Sequence, residues 1–153
     1  MNTRRALLIG GAVLVAGAGV YAAGGRNLAL SLITESIAGE SVDAPTAHRL
    51  ATAGSIHLID IRRPDEWDKT GSGEGASRLD MRRKDFITEL EKITSGDRAA
   101  PVALICARGV RSAWLNNKLT EAGFTNIIDV PEGMLGSSAG PGWLKRGLPI
   151  VKN

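Results

Sequence analysis

Val102-Ala103-Leu104-Ile105-Cys106-Ala107-Arg108-Gly109-Val110-Arg111-Ser112-Ala113-Trp114 is the stretch whose reading decides how this chain folds. Its apolar start, after Pro101, reads as a buried strand, and residues 111–122, followed by Gly123, read as a helix. A strand that stops at Cys106 and a helix that starts near Arg111 place the thiol at the carboxyl end of a parallel strand. Open α/β sheets bind ligands there. Outward from this stretch the same alternation recurs. Residues 56–61 and 126–130 read as two more buried strands, and Pro64-Asp65-Glu66-Trp67 opens a short helix. Residues 81–95 form a helix with Phe86, Leu90 and Ile93 on one face. Ser41-Val42-Asp43 followed by Ala44-Pro45 starts a helix running to about Ala53, since Pro is favoured in a first turn. Gly71, Gly73 and Gly75 make 70–75 a loop. Strands alternating with helices predict a three-layer α/β/α domain around a parallel sheet of about five strands.

Composition agrees with one globular domain and removes several function classes. The chain has 153 residues, 43% hydrophobic and 23% charged, with 4% aromatic residues and a formal net charge of +3. The basic excess is N-terminal: Arg4, Arg5 and Arg26 are the charged side chains of residues 1–26, and the rest of the chain balances to zero. A nucleic-acid surface built from bulk charge is therefore not expected. Cys106 is the single cysteine, so no internal disulfide and no Cys-rich metal site can form, and with His48 and His57 as the only histidines neither a metal nor a cofactor is expected.

The N-terminus reads as an address. Two arginines precede an uncharged run over 6–23 that ends in small residues, the layout of an export signal, and Thr3-Arg4-Arg5-Ala6-Leu7-Leu8 resembles the twin-arginine export motif. Residues 1–25 are thus an export signal or, uncleaved, a membrane anchor at the short end of the roughly 17–25 residues that cross a bilayer. Either places the domain on the outer, periplasmic side. Residues 26–40 are a linker or short helix, and 41–153 the folded domain.

The thiol environment carries the chemistry. Backbone N–H groups of Ala107, Arg108, Gly109, Val110 and Arg111 can surround the sulfur, the helix dipole adds positive potential, and Arg108 and Arg111 bring permanent charge. Together these should favour a thiolate, the reactive form, provided that solvent and substrate can reach it. Gly109 suits the tight curl of the loop.

The stretch resembles the active-site loop of the rhodanese (sulfurtransferase) family, whose pattern is Cys-x-x-Gly-x-Arg followed by a small hydroxyl residue. Cys106, Gly109, Arg111 and Ser112 stand at the matching positions. Leu58-Ile59-Asp60-Ile61-Arg62, Glu66-Trp67, Gly75-Ala76, Gly123-Phe124, Glu132-Gly133-Met134 and Trp143 through Gly147-Leu148-Pro149 extend the similarity over about 42–151. Two departures stand out. Gly71-Ser72-Gly73-Glu74-Gly75-Ala76 replaces the family's usual Gly-His-Ile-x-Gly-Ala, and Glu132 replaces a commoner Gly.

The resemblance implies that the Cys106 thiolate takes a sulfane sulfur from a donor such as thiosulfate, holds it as a persulfide and passes it to cyanide or a thiol. Arg108 and Arg111 would bind the anionic donor, the loop amides would stabilise the persulfide, and no general base would be needed. Asp60 is expected to orient an arginine of the loop by an ion pair, with Arg62 in a similar role and Ser112 as a further loop-orienting residue. The competing readings are a sulfur carrier, a redox relay or a binding module acting on a protein thiol partner. Phosphatases and arsenate reductases sharing this loop place the arginine one residue further on, where Ser112 stands, so the shorter loop disfavours an oxyanion ester.

Overall fold

The structure is a computed structural model that describes residues 25–37 and 39–152. The expected export signal lies outside the described residues, apart from Gly25. Among the described residues no helix is long and apolar enough to cross a membrane.

Five strands form the parallel sheet that the alternation predicts. They are β1 (Glu40–Ser41), β2 (His57–Asp60), β4 (Ala76–Arg78), β5 (Val102–Ile105) and β6 (Ile127–Asp129). The order is β1-β6-β5-β2-β4, so β5 lies in the middle and delivers Cys106 to the centre of the carboxyl edge. Register is set by Leu58 beside Ala103 and by Leu104 beside Asp129. Because side chains alternate across a strand, β5 feeds both layers. Val102, Leu104 and Cys106 face one core with Ile59, Ile61, Phe86, Leu90, Leu115, Leu119 and Phe124. Ala103 and Ile105 face the other with Ala44, Ala47, Leu58, Val130, Met134 and Trp143.

Helices α4 (Phe86–Ile93) and α5 (Val110–Glu121) cover the first face. The second is covered by α2 (Ala44–Thr52) and by the closing segment that carries Met134 and Trp143. The start of α2 is capped as its sequence predicts: Asp43 accepts from the Thr46 N–H at 2.9 Å and Pro45 sits in the first turn. Glu132, where the family commonly has Gly, explains itself here. It is 1% exposed, and it accepts from the Ala44 N–H at 2.7 Å and from the Gly142 N–H and Arg146 Nε at 2.8 Å each. Burial alone would raise its pKa, but these donors hold it below the usual carboxylate range. One carboxylate ties α2 to the closing segment.

The structure departs from the sequence reading at three elements. Residues 26–40 hold a short helix, one of the two forms expected there, as α1 (Arg26–Ile33), but β1 starts at Glu40, inside that segment. The helix expected over 81–95 begins only at Phe86, because Asp80 turns the preceding backbone by accepting from the Arg82 N–H at 3.0 Å, a local bond that competes with helix formation. The glycine-rich 70–75 segment is not wholly loop: between α3 (Pro64–Thr70) and β4, β3 (Ser72–Gly73) pairs antiparallel with β7 (Ile150–Val151). A Cβ at Gly73 would lie 2.6 Å from the Trp143 indole, so the residue is small because the buried tryptophan packs on its backbone.

Candidate active site

The β5–α5 connection wraps its backbone around one sulfur. Gly109 donates its N–H to Cys106 Sγ at 3.1 Å, and Sγ lies 3.6 Å from Ser112 Oγ. Gly109 also caps α5 at φ +85°, and a Cβ there would lie 2.2 Å from the Pro131 carbonyl oxygen, so the position requires glycine on both grounds. The opposite wall is fixed by the 133–135 turn. Met134 N–H donates to the Cys106 carbonyl at 2.9 Å and Leu135 N–H to the Ala107 carbonyl at 2.8 Å. A Cβ at Gly133 would lie 2.7 Å from the backbone of Cys106 and Ala107, which is why the turn can approach so closely.

The arginines are placed differently from the expectation. Arg111, at the start of α5, makes a bidentate pair with Glu66 of α3: Nη1 donates to Oε2 at 2.8 Å and Nη2 to Oε1 at 2.7 Å. Burial alone would raise the Glu66 pKa, but hydrogen bonds from Arg111 and the Arg63 N–H, with the Arg111 and Arg62 charges, bring it to about 2. The Glu66 hydrogen bonds raise the Arg111 pKa against its own burial, and the neighbouring Cys106 charge raises it further. Glu66, then, holds the loop arginine. Asp60, expected in that role, pairs instead with Arg62, whose Nη2 lies 2.7 Å from Oδ2, with 1% and 0% of the two side chains exposed. The reason is register: both stand at the end of β2, where the Arg62 guanidinium also donates to Thr70 Oγ1 and the Gly71 carbonyl and so pins the turn after α3. Arg108 donates to the Gly136 carbonyl at 2.9 Å.

Comparison with known proteins decides the lineage. Residues 43–139 match the rhodanese-like domain family. The chain is a member of the rhodanese-like family. Among the similar sequences, "Uncharacterized protein RP600 homolog" of Rickettsia rickettsii is 26% identical over 106 residues, covering 65% of this chain and 86% of that one. Among solved structures, the polysulfide-sulfur transferase homodimer from Wolinella succinogenes is 26% identical, with 90% of each chain covered and a TM-score of 0.57. Rv0390 from M. tuberculosis is 26% identical over 77% of this chain and 100% of its own, with a TM-score of 0.58. Thiosulfate sulfurtransferase from Pseudomonas aeruginosa, 20% identical with a TM-score of 0.57 and 74% of this chain covered, shows the shared fold. That chain is larger, with 20% of it covered.

This rhodanese-like domain differs from the sequence reading in the access it gives to its sulfur. Cys106 is 1% exposed, where an open thiol was required. The last turn of α1 lies beside the loop. Leu30, Ser31 and Thr34 line a cleft with Arg108 and Pro131, while Ile33 and Glu35 line another with Val110, Arg111 and Trp114. Trp114 is 42% exposed beside that second cleft.

Two residues of the site were given no role by the reading. Glu66 carried a usable signal, an acidic residue in the first turn of the helix after β2, but its partner is 45 positions away. Asp129 carried almost none, because in sequence it is one polar residue inside a strand. It is 3% exposed, on the Cys106 face of β6, and its Oδ1 has no hydrogen-bond partner among the described residues. Burial pushes its pKa up to about 6, against smaller opposing effects of the Ser112 side chain and the Val130 N–H.

Proposed function

We propose that this domain is a sulfurtransferase that works through a persulfide on Cys106. The observation that carries the reading is the loop itself: one sulfur at the mid-sheet carboxyl edge, receiving the Gly109 N–H at 3.1 Å, with the N-terminus of the 12-residue α5 beside it. In the first step the thiolate attacks the outer sulfur of a donor such as thiosulfate. A sulfur–sulfur bond forms to Cys106 and sulfite leaves with the electron pair of the old one. In the second step cyanide or a thiolate attacks that terminal sulfur, the Cys106–sulfur bond breaks, and the thiolate is restored. Sulfur transfer named for the Wolinella succinogenes protein, at 26% identity over 90% of the chain, supports the class and adds polysulfide as a donor of the same sulfane chemistry. Since Arg111 is engaged by Glu66, its part is to stiffen the loop and lend positive potential rather than to clamp the donor. The amides of residues 107–111 are the groups left to stabilise the persulfide charge.

A purified sample should release thiocyanate from thiosulfate and cyanide, and mass spectrometry should find a mass gain of one sulfur on Cys106. Cys106→Ser should abolish both. If the adduct forms without turnover of any small acceptor, the carrier reading replaces the enzymatic one; if neither appears, the sulfur-transfer reading is wrong.

The 1% exposure of Cys106 specifically favours that second reading, in which a protein thiol partner opens the site. A persulfide moderates the objection, because its reacting sulfur stands one bond, about 2.05 Å, further out than Sγ. The export-like N-terminus supports a location on the outer side of the membrane, which sequencing of the N-terminus of exported protein tests.

A further inference from the structure

Arg108, two residues beyond the thiol, carries its guanidinium to the turn that backs the loop, where Nη1 donates to the Gly136 carbonyl at 2.9 Å. A carbonyl partner orients the group without neutralising it. There Arg108 lines a polar cleft of about 250 Å³ with Leu135, Gly136, Ser137 and Lys145. The volume suits a small ligand, since clefts for drug-sized molecules begin near roughly 300 Å³. Lys145 is exposed and forms no ion pair among the described residues, and no acidic side chain among them lines the cleft. Glu132 stands behind Gly140 but is engaged by Arg146 Nε and by the Ala44 and Gly142 N–H groups, while Asp43 interacts with Arg146, so the two cations of the cleft keep their field. Leu135, 41% exposed, adds an apolar wall.

Two cations and an aliphatic wall around one cleft make a receptor for an aliphatic carboxylate. The cleft adjoins the sulfur. Leu135 donates its N–H to the Ala107 carbonyl at 2.8 Å, and two peptide steps keep the Arg108 Cα within about 7.6 Å of the Cys106 Cα. The outer sulfur of a persulfide stands about 2 Å beyond Sγ. A carboxylate in the cleft is therefore several bonds from a thiol that meets that sulfur, the spacing of a small thiol acid. Thiosulfate carries its oxygens on the sulfur next to the one transferred and does not span that distance. Resting on the persulfide chemistry proposed for Cys106, we propose that this cleft seats the carboxylate of the second substrate, a small aliphatic thiol, with Arg108 and Lys145 as acceptor-binding residues. The acceptor thiolate attacks the outer sulfur and forms a new sulfur–sulfur bond. The Cys106–sulfur bond breaks, its electron pair returns to Cys106 as thiolate, and the acceptor leaves as an organic persulfide.

The test compares alkylation of Cys106, the only cysteine, by iodoacetate and by iodoacetamide in the full chain. The two reagents share a reacting carbon and differ in charge. Their rate ratio, referred to that of 2-mercaptoethanol, should favour iodoacetate at least about fivefold in the wild type and fall with added salt. Lys145→Gln and Arg108→Gln should each lower the ratio about threefold. Lys92→Gln on α4, which removes the same charge away from the cleft, should not move it. In the second arm 3-mercaptopropionate and 3-mercapto-1-propanol, at equal thiolate concentration, discharge the Cys106 persulfide. The acid should be preferred at least about fivefold in kcat/KM, through KM, and Lys145→Gln should erase the preference. A ratio unmoved by Lys145→Gln, or moved equally by Lys92→Gln, overturns the proposal. So does discharge by the alcohol as efficient as by the acid, because the cations would then attract anions without seating an acceptor. If Arg108→Gln does not fold, Lys145→Gln, at an exposed position, decides. Alkylation requires no sulfur transfer. A chain that forms no persulfide but keeps its Lys145-dependent ratio would sink the proposed function and leave an anion site beside the thiol, whereas persulfide formation with an unmoved ratio would sink this inference alone.

Discussion

At the residue scale the site is governed by which carboxylate meets which cation. Glu66 and Asp129 are perturbed in opposite directions, and stability should report both. Glu66 is lowered to about 2, so what it contributes is complete above its ordinary 4.5 and is lost as pH falls toward 2. Asp129 is raised to about 6, so its contribution is complete below 3.8 and is lost as pH rises through 6. Urea midpoints measured from pH 2 to 8 should therefore fall at both ends. Glu66→Gln should flatten the acid limb and Asp129→Asn the neutral one. Asp60 has the structural part: with Arg62 left uncompensated in the core, Asp60→Ala should cost about 3–5 kcal/mol in urea denaturation. The folded fraction should alkylate Cys106 at the wild-type rate, and a slower rate would return Asp60 to the loop-orienting role.

At the element scale the loop is a joint between β5 and α5 whose curvature depends on Gly109. An alanine there faces a φ of +85° and a Cβ position 2.2 Å from the Pro131 carbonyl oxygen. Gly109→Ala should cost at least about 2 kcal/mol and, by pushing the Gly109 N–H off Sγ, slow alkylation of Cys106. Loss of stability with an unchanged alkylation rate would mean that this N–H does not govern the sulfur. The loop was legible in the sequence because all its determinants lie within a few residues: an apolar strand, a small residue at the bend and a helix start. The partial strand in 70–75 was not, since Gly73 finds its partner at Ile150. Nor was the late start of α4, which turns on one side chain, Asp80, bonding its own local backbone.

Across the whole molecule the sheet separates two apolar cores, and the site rests on both, with Cys106 facing the one beneath α4 and α5 and Met134 facing the other. Leu90→Ala and Leu58→Ala, one on each face, should each cost about 2–5 kcal/mol. In the double variant the losses should add to within about 0.5 kcal/mol, measured by urea denaturation. A clear excess would mean that the two layers communicate through β2 and β5. Trp143, fully buried on Gly73 and edge-on to His48 at 5.5 Å, anchors the closing segment that carries the turn against Cys106.

The amino-acid sequence by itself determined the layering, the position of the thiol at a strand end, the glycine at its bend and the family to which the chain belongs. Each follows from short-range periodicity and from backbone conformations that few residues tolerate. Only the tertiary structure decided that Glu66 rather than Asp60 grips Arg111, that Glu132 ties α2 to the closing segment, that Asp129 lies buried behind Ser112, and that Cys106 is covered. Those are contacts between residues far apart in the chain, or matters of burial. Charge pairing in a folded protein is settled by which side chains share a low-dielectric space, a property that spacing along the chain does not encode.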